Sequence, residues 1–260
     1  MNVHTMTLIP NEQAALVHGI FEMLALALGA AYYRLLRRRT GGGSILHGEG
    51  FVVAVGCIFG AAIGNKAVFW IEMPHLFLQY WSMPALLFGG QSMVGGLLGG
   101  LIGVEIAKKL NGITHSTGDA FVFPVLIGLM IGRVGCFLAG LADGTHGNPS
   151  GLPWAVDFGD GIPRHPAQLY EIVFAGLFWW GLASMRQRLA VQPGLLFKLM
   201  LVGYLGWRLL IDAIKPIPYA YPLGLSGIQW VCLIGLAVYL PVVWRQWPPA
   251  LLRPAEKGAQ

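Results

Sequence analysis

Residues 122–140 read VFPVLIGLMIGRVGCFLAG, a run of 19 residues in which Arg133 is the one charged side chain. A helix of about 20 apolar residues crosses the hydrocarbon core of a bilayer, so this run predicts a transmembrane helix. A charge at membrane depth is costly and therefore suggests a functional role for Arg133. The alternative is that Arg133 snorkels to the outer interface and only caps backbone carbonyls there.

The same apolar character extends over the whole chain. Its 260 residues are 55% hydrophobic and 11% charged, with a mean hydropathy of +0.62, whereas a soluble protein is about 25% charged. This composition leaves no room for a large soluble domain, and it predicts one integral membrane domain over residues 1–260. The three cysteines lie inside apolar runs without CxxC spacing, so we expect reduced thiols, no metal site and no cofactor.

Further apolar runs extend this pattern to an all-α, polytopic bundle of about seven transmembrane helices. The third run contains seven glycines between residues 89 and 103, which predicts an irregular or re-entrant entry into the membrane, enclosed by protein or a water-filled cavity. The predicted spans are 14–34, 50–71, 84–107, 118–140, 167–185, 194–213 and 222–244.

Basic residues set the predicted orientation, because positively charged loops stay in the cytoplasm. With the N-terminus outside and the C-terminus inside, 12 of the 17 Lys and Arg residues fall on the cytoplasmic side. The loop at about 141–166 then becomes external. The net charge of +5 comes from the ends of apolar runs, so nucleic acid is not a predicted partner. Five basic residues stay unexplained by topology, namely Lys66, Arg133, Arg164, Arg208 and Lys215.

Two further polar groups interrupt the predicted spans. Tyr204, Arg208 and Asp212 recur every four residues and therefore share one helix face. The simpler interpretation is an ion pair between Arg208 and Asp212, which still leaves guanidinium donors for a phosphate. In the run RHPAQLYE at the start of the fifth span, Gln168 and Glu171 lie three residues apart on one face.

His165 precedes the proline that opens the fifth span, at the predicted external surface. It is a candidate base, and the alternative is a helix cap or interfacial residue. Asp157 and Asp160 in the preceding loop either orient this group or belong to a solvated loop. The sequence has no P-loop, GxGxxG, HExxH or GxSxG motif. Arginines together with His, Gln, Glu and Tyr in the outer half of a bundle instead suit an anionic phospholipid. Guanidinium groups bind the phosphate of such a lipid through paired hydrogen bonds.

GRVGCFLAG, RHPAQLYE and GYLGWRLLID, in this order, resemble the prolipoprotein diacylglyceryl transferase family over roughly residues 84–240. The resemblance implies a bacterial inner-membrane enzyme that moves diacylglyceryl from phosphatidylglycerol to the lipobox cysteine of a preprotein at the periplasmic face. It implies catalytic roles for Arg133, Arg208 and His165. The substrate-binding residues it implies are Tyr204, Gln168, Glu171, Asp212, Gly95, Gly96 and Asp143.

The chain departs from the family pattern at three positions. Val94 stands before Gly95 and Gly96, where the family has the histidine of an HGG motif. Cys136 replaces the asparagine that follows the GR arginine, and Leu141 replaces the acid of a GExWG motif, with Asp143 two residues later. The phosphate-binding residues are thus kept, while those near the acceptor are changed.

These departures leave several hypotheses open. The first is the diacylglyceryl transferase, with His165 or His146 as the histidine that deprotonates the acceptor thiol. The second is a phospholipid-binding or lipid-moving protein without catalysis, and a related one is a transferase with a different acceptor. A purely structural membrane subunit is disfavoured by polar motifs in three separate spans.

Overall fold

The computed structural model describes residues 11–39, 47–83 and 89–247, and this part of the chain is almost entirely helical. The all-α prediction is confirmed. The helices are α1 (Asn11–Arg39), α2 (Gly48–Glu72), α3 (Pro74–Tyr80), α4 (Met93–Leu110), α5 (Val122–Ala139), α6 (Ala167–Leu189), α7 (Leu195–Ile211) and α8 (Gly227–Gln246). Single 3-10 turns cover Gly118–Phe121, Gly140–Asp143, Asp212–Ile214 and Pro222–Gly224.

Four segments are long and apolar enough to cross a membrane. They are Gln13–Arg39, Gly48–Glu72, Gly118–Asp143 and Gly227–Gln246. The other three long helices are less apolar or shorter, because α4 and α6 carry charged residues and α7 has 17 residues. The structure therefore establishes a helical protein with four candidate membrane spans.

The predicted third span is only partly within the described residues, because 84–88 lie outside them. Residues 89–92 are not helical, and α4 begins at Met93. The Ser92 side chain caps α4 by accepting a hydrogen bond of 3.3 Å from the Gly95 amide.

Helices α2 and α4 pack closely along two rows of glycines. A Cβ atom added at Gly60 would lie 2.2 Å from the Gly99 carbonyl oxygen, so a larger residue would push the two backbones apart. Small residues at four-residue spacing allow this kind of approach between membrane helices. The rows are Gly56, Gly60 and Gly64 on α2 and Gly95, Gly99 and Gly103 on α4.

The remaining helices pack around α5 and α7. Helix α5 contacts both α1 and α6, and α7 packs against α8, which also touches α2. The Asp119 carboxylate accepts hydrogen bonds from the Gly194 and Phe197 amides, and so ties the start of α5 to the start of α7. These contacts place α5, α6 and α7 side by side, with their polar residues at the same end of the bundle.

The loop at 141–166 contains a small antiparallel sheet of β1 (Val156–Asp157) and β2 (Pro163–Arg164). The Asp157 carboxylate accepts hydrogen bonds from the Gly159 and Gly161 amides in the connecting turn. The Gly147 amide donates to the His165 carbonyl oxygen and the His165 amide to the Asn148 carbonyl oxygen, which attaches the loop to the residues that enter α6.

Candidate functional site

The side chain of Glu171, in the second turn of α6, is fully buried and is the centre of the site. Arg133 of α5 places its Nε atom 2.5 Å from Oε2 of Glu171. Arg208 of α7 places its Nη1 atom 2.8 Å from Oε1 of the same carboxylate. Two arginines that are 75 residues apart in the sequence therefore share one buried partner.

A second acid and a lysine extend this network. Arg208 contacts Asp212, one helical turn further on, at 2.8 Å. The Lys215 ammonium lies 3.6 Å from the carboxylate of Glu171 and 3.8 Å from that of Asp212. Three positive groups against two carboxylates leave one net positive charge. A buried cluster with this excess is electrostatically suited to a monoanion.

Several buried polar atoms near this network lack a hydrogen-bond partner among the described residues. They are the Tyr204 hydroxyl, both amide atoms of Gln168 and Nε of Arg208. Buried polar groups nearly always have a partner in native structures, so unpaired ones call for a ligand or water. The predicted set of Arg133, Arg208, Tyr204, Gln168, Glu171 and Asp212 thus lies on three adjacent helices.

Val94 and the two glycines after it have different surroundings. Val94 is 1% exposed and belongs to an apolar cluster that includes Leu129, Leu201 and Tyr204. Gly95 lies in the close contact between α4 and α2, and Gly96 lies beside Asn65 of α2. The described contacts of these two glycines are therefore contacts of helix packing.

His165 lies two residues before α6 and six residues before Glu171 in the sequence. We predict from the sequence that Gln168, Glu171 or the loop at Asp157 orients it, but its Nδ1 atom instead lies 3.3 Å from the Tyr170 hydroxyl. The Trp154 indole donates to the same hydroxyl at 2.8 Å. The Tyr170 oxygen has two acceptor lone pairs, so it can accept a hydrogen bond from Nδ1–H of His165 as well, and in that tautomer the Nε2 lone pair of His165 is free.

The acids of the loop at 141–166 stabilise the loop itself. Asp157 holds a turn, as described above, and Asp160 forms a bidentate pair with Arg164 at 2.7 Å for each bond. The hydrogen bonds from Arg164 lower the pKa of Asp160 to about 2. Neither sequence interpretation describes Asp157, which is 3% exposed and bonded within the loop, while Asp160 pairs with Arg164 of the same loop.

Asp143 lies in a second cluster of polar side chains, which no spacing or motif in the sequence predicts. Its carboxylate is 2.7 Å from Nδ1 of His18 in α1, and it also accepts a hydrogen bond from Thr145. The Cys136 thiol is close to both groups, and it accepts a hydrogen bond of 3.6 Å from Nη1 of Arg133. Arg133 therefore connects the two clusters.

Two sequence expectations change as a result. His165 and His146 are not the only histidines near the site, because a ring nitrogen of His18 lies within 4.8 Å of the Cys136 thiol. Nδ1 of His146 lies 3.0 Å from the Gly147 carbonyl oxygen. The signal for His18 was its position at the outer end of the first predicted span. Lys215 is among the five basic residues that the predicted topology leaves unexplained, and that position was the available signal for its place in the site.

Comparison with known proteins agrees with this geometry. The sequence model of the family described as prolipoprotein diacylglyceryl transferase matches residues 11–245. A phosphatidylglycerol–prolipoprotein diacylglyceryl transferase from Methylobacillus flagellatus is 34% identical over 210 residues, which are 75% of this chain and 74% of the relative. The protein of that name from Bordetella parapertussis is 30% identical over 250 residues, 86% of this chain and 89% of the relative. The chain belongs to the prolipoprotein diacylglyceryl transferase family.

Proposed function

We propose that this protein transfers diacylglyceryl from phosphatidylglycerol to the thiol of a lipobox cysteine in a preprotein. The observation that carries the proposal is the sharing of Glu171 by Arg133 and Arg208 in a buried cluster with one excess positive charge. A phosphodiester carries one negative charge and accepts paired hydrogen bonds from guanidinium groups. The names of the relatives give the same donor and acceptor for those proteins.

In the proposed reaction, the phosphate of the lipid binds beside Arg133 and Arg208. The thiolate sulfur of the acceptor attacks the glycerol carbon that bears the phosphate, and a carbon–sulfur bond forms as the carbon–oxygen bond breaks. The electron pair of the broken bond leaves on the phosphate oxygen, so the glycerol phosphate product gains a negative charge. Guanidinium groups held in place by Glu171 stabilise that developing charge away from bulk water.

The Tyr204 hydroxyl and the Gln168 amide supply further hydrogen bonds to the lipid headgroup, which accounts for their lack of protein partners among the described residues. Asp212 keeps Arg208 oriented. We assign to His165 the removal of the thiol proton, because it precedes the site helix α6 by two residues and, with Nδ1–H donated to Tyr170, has its Nε2 lone pair free to accept a proton.

This function requires a defined placement in the membrane. We propose seven spans, formed by α1, α2, α4, α5, α6, α7 and α8, with the glycine-rich third span entering irregularly before Met93. Residues 1–260 then form one domain in the bacterial inner membrane, with the N-terminus outside and the C-terminus in the cytoplasm. The loop at 141–166 faces the periplasm, where preproteins arrive.

One observation favours a second candidate function. The position of the family's HGG histidine is filled by Val94, which is buried among apolar side chains. A protein that kept the phosphate site without that histidine would bind or move anionic phospholipid without catalysis. A transferase with another acceptor is a related candidate, because Cys136 and Leu141 replace family residues on the acceptor side.

Purified protein mixed with acyl-labelled phosphatidylglycerol and a lipobox peptide separates these candidates. We expect diacylglyceryl peptide joined by a thioether and an equal amount of glycerol phosphate. A peptide with serine in place of cysteine is the matched control and should give neither product. Binding of phosphatidylglycerol without either product would instead support the lipid-binding function, and glycerol phosphate without modified peptide would indicate another acceptor.

A further inference from the structure

A group of three different metal-binding side chains lies next to Arg133. His18 comes from α1, Cys136 from the last turn of α5 and Asp143 from the 3-10 turn that follows α5. One ligand atom from each residue lies within 4.8 Å of the other two. We propose that these three residues bind one zinc ion, which holds the acceptor thiol as a thiolate beside the phosphate site.

The donor set suits zinc. Imidazole nitrogen, thiolate sulfur and carboxylate oxygen are the three ligand types of protein zinc sites, with bonds of about 2.0 to 2.3 Å. Ligand atoms around a tetrahedral ion of that size lie about 3.3 to 3.7 Å apart. The three ligand atoms therefore need to move by about 1 Å or less, which the 3-10 turn and the His18 side chain can supply.

The charges of the three ligands also match those of a dication. A Cys136 thiolate and the Asp143 carboxylate together neutralise a zinc ion, which matters in a site with little water. Nη1 of Arg133 already donates a hydrogen bond of 3.6 Å to the Cys136 sulfur. The His18 side chain is 34% exposed and that of Asp143 is 6% exposed, so the cluster can be reached from outside without being fully solvated.

Three protein ligands leave a fourth coordination position, as in catalytic zinc sites. A thiol that binds there loses its proton, and a metal-bound thiol is fully deprotonated at neutral pH. The proton passes to the base or to water, and the sulfur keeps its electron pair for attack on the glycerol carbon. This role in thiol activation rests on the proposed function. The zinc site would place the sulfur of the acceptor on one side of Arg133 and the phosphate of the lipid on the other.

A zinc site would also explain the altered residues on the acceptor side. Cys136 and Asp143 belong to the part of the chain that departs from the family pattern, and Val94 removes the family's histidine. The competing interpretation is that His18 and Asp143 form only a structural hydrogen bond, which attaches the external loop to α1.

Metal titration of the full-length protein in detergent tests the site without relying on turnover. After removal of metal with a chelator, we expect one Co²⁺ per chain, with the absorption band of a cobalt–thiolate bond, and displacement of this ion by Zn²⁺. Cys136→Ser should abolish the thiolate band, and Asp143→Asn or His18→Gln should weaken binding by about tenfold or more. Cys57→Ser is the control and should leave both the band and the affinity unchanged.

Folded protein without the thiolate band, or a band that survives Cys136→Ser, would overturn the proposal. The peptide assay keeps this outcome separate from the proposed function. Full thioether formation by protein shown to be metal-free would exclude zinc from thiol activation and leave the transferase intact. Stoichiometric zinc binding without any product would support the metal site and contradict the proposed transferase function.

Discussion

At the scale of single residues, the decisive feature is a buried carboxylate with more than one cation. Glu171 would be costly to bury alone, and Arg133 and Arg208 would each be costly to bury without an acid. Each group makes the burial of the others feasible. The arginines are therefore held near each other before any lipid arrives, which lowers the reorganisation needed when negative charge develops on the leaving phosphate.

The first prediction concerns the geometry of Arg133. Arg133→Lys keeps the charge but loses the paired donors, so we expect kcat/KM for phosphatidylglycerol to fall by about 100-fold. Arg188→Lys, at the exposed and basic end of α6, is the matched control and should retain wild-type turnover. Equal activity of the two variants would mean that Arg133 only balances the charge of Glu171.

The second prediction tests whether His165 contributes to turnover as the base without contributing to binding of the lipid phosphate. His165→Ala should lower turnover by about 100-fold, because a general base contributes a factor of at least that size. Binding of phosphatidylglycerol should be unchanged, since the arginines stay in place. The matched control is His115→Ala, whose side chain is 59% exposed next to Glu49. Normal turnover of the His165 variant would reduce His165 to a structural partner of Tyr170.

The third prediction concerns Lys215, which lies outside the helices. Burial, with a contribution from the nearby Arg208, lowers its pKa to about 8. The free site therefore loses its excess positive charge as pH rises through about 8, and affinity for an anionic lipid falls. Arginine at this position stays charged throughout.

We expect the ratio of kcat/KM for phosphatidylglycerol, wild type over Lys215→Arg, to fall by about tenfold between about pH 7 and about pH 9. The acceptor thiol titrates in the same range, but it does so equally in both proteins and cancels from the ratio. A ratio that is constant with pH would show that Lys215 does not contribute its charge to lipid binding.

Spacing within one helix allowed part of the site to be predicted. Tyr204, Arg208 and Asp212 share a helix face because they are four residues apart, and the ion pair between Arg208 and Asp212 is present. The ion pair between Arg133 and Glu171 could not be predicted from sequence spacing, because it depends on how α5 packs against α6. His18 was missed for the same reason, since α1 meets the turn after α5 only in the folded protein.

At the scale of helices, glycine has two roles that the sequence does not separate. The many glycines of the third predicted span predict an irregular entry into the membrane, which stays a prediction, and the described residues 89–92 are not helical. From Met93 onward, however, glycines at four-residue spacing lie within a regular helix and form its contact with α2. Their matching row on α2 was visible in the sequence at Gly56, Gly60 and Gly64, and the four-residue spacing of both rows was the available signal.

The fourth prediction tests this contact. A Cβ atom at residue 99 would lie 2.3 Å from the Gly60 carbonyl oxygen, so Gly99→Ala should destabilise the protein by about 1 to 3 kcal/mol. Thermal unfolding in detergent measures the change as a lower Tm. Gly181→Ala in α6 is the control, because nothing lies within 4 Å of its added Cβ. Equal Tm values would mean that α2 and α4 can separate without cost.

At the scale of the whole molecule, charge is divided between two ends of the bundle. Arg37, Arg38 and Arg39 end α1, Lys108 and Lys109 end α4, and Arg186 and Arg188 end α6. Arg133, in the second half of α5, and Arg208, in the last turn of α7, belong to helices that run in the opposite direction under the seven-span topology. Under that topology the basic ends and the site fall on opposite sides of the membrane, and the positions of Lys and Arg alone predict this separation.

The last prediction follows from that separation. A topology reporter inserted at Gly147 should be exposed to the periplasm, and one fused after Lys257, outside the described residues, should be in the cytoplasm. Since the orientation is set by basic loops, replacing Arg37, Arg38 and Arg39 with glutamine should increase the fraction of inverted molecules. Replacing Arg164 with glutamine, on the other side, should not. A cytoplasmic reporter at residue 147 in the unaltered protein would put His165 and the site on the cytoplasmic side, and chemistry on exported preproteins could then not take place there.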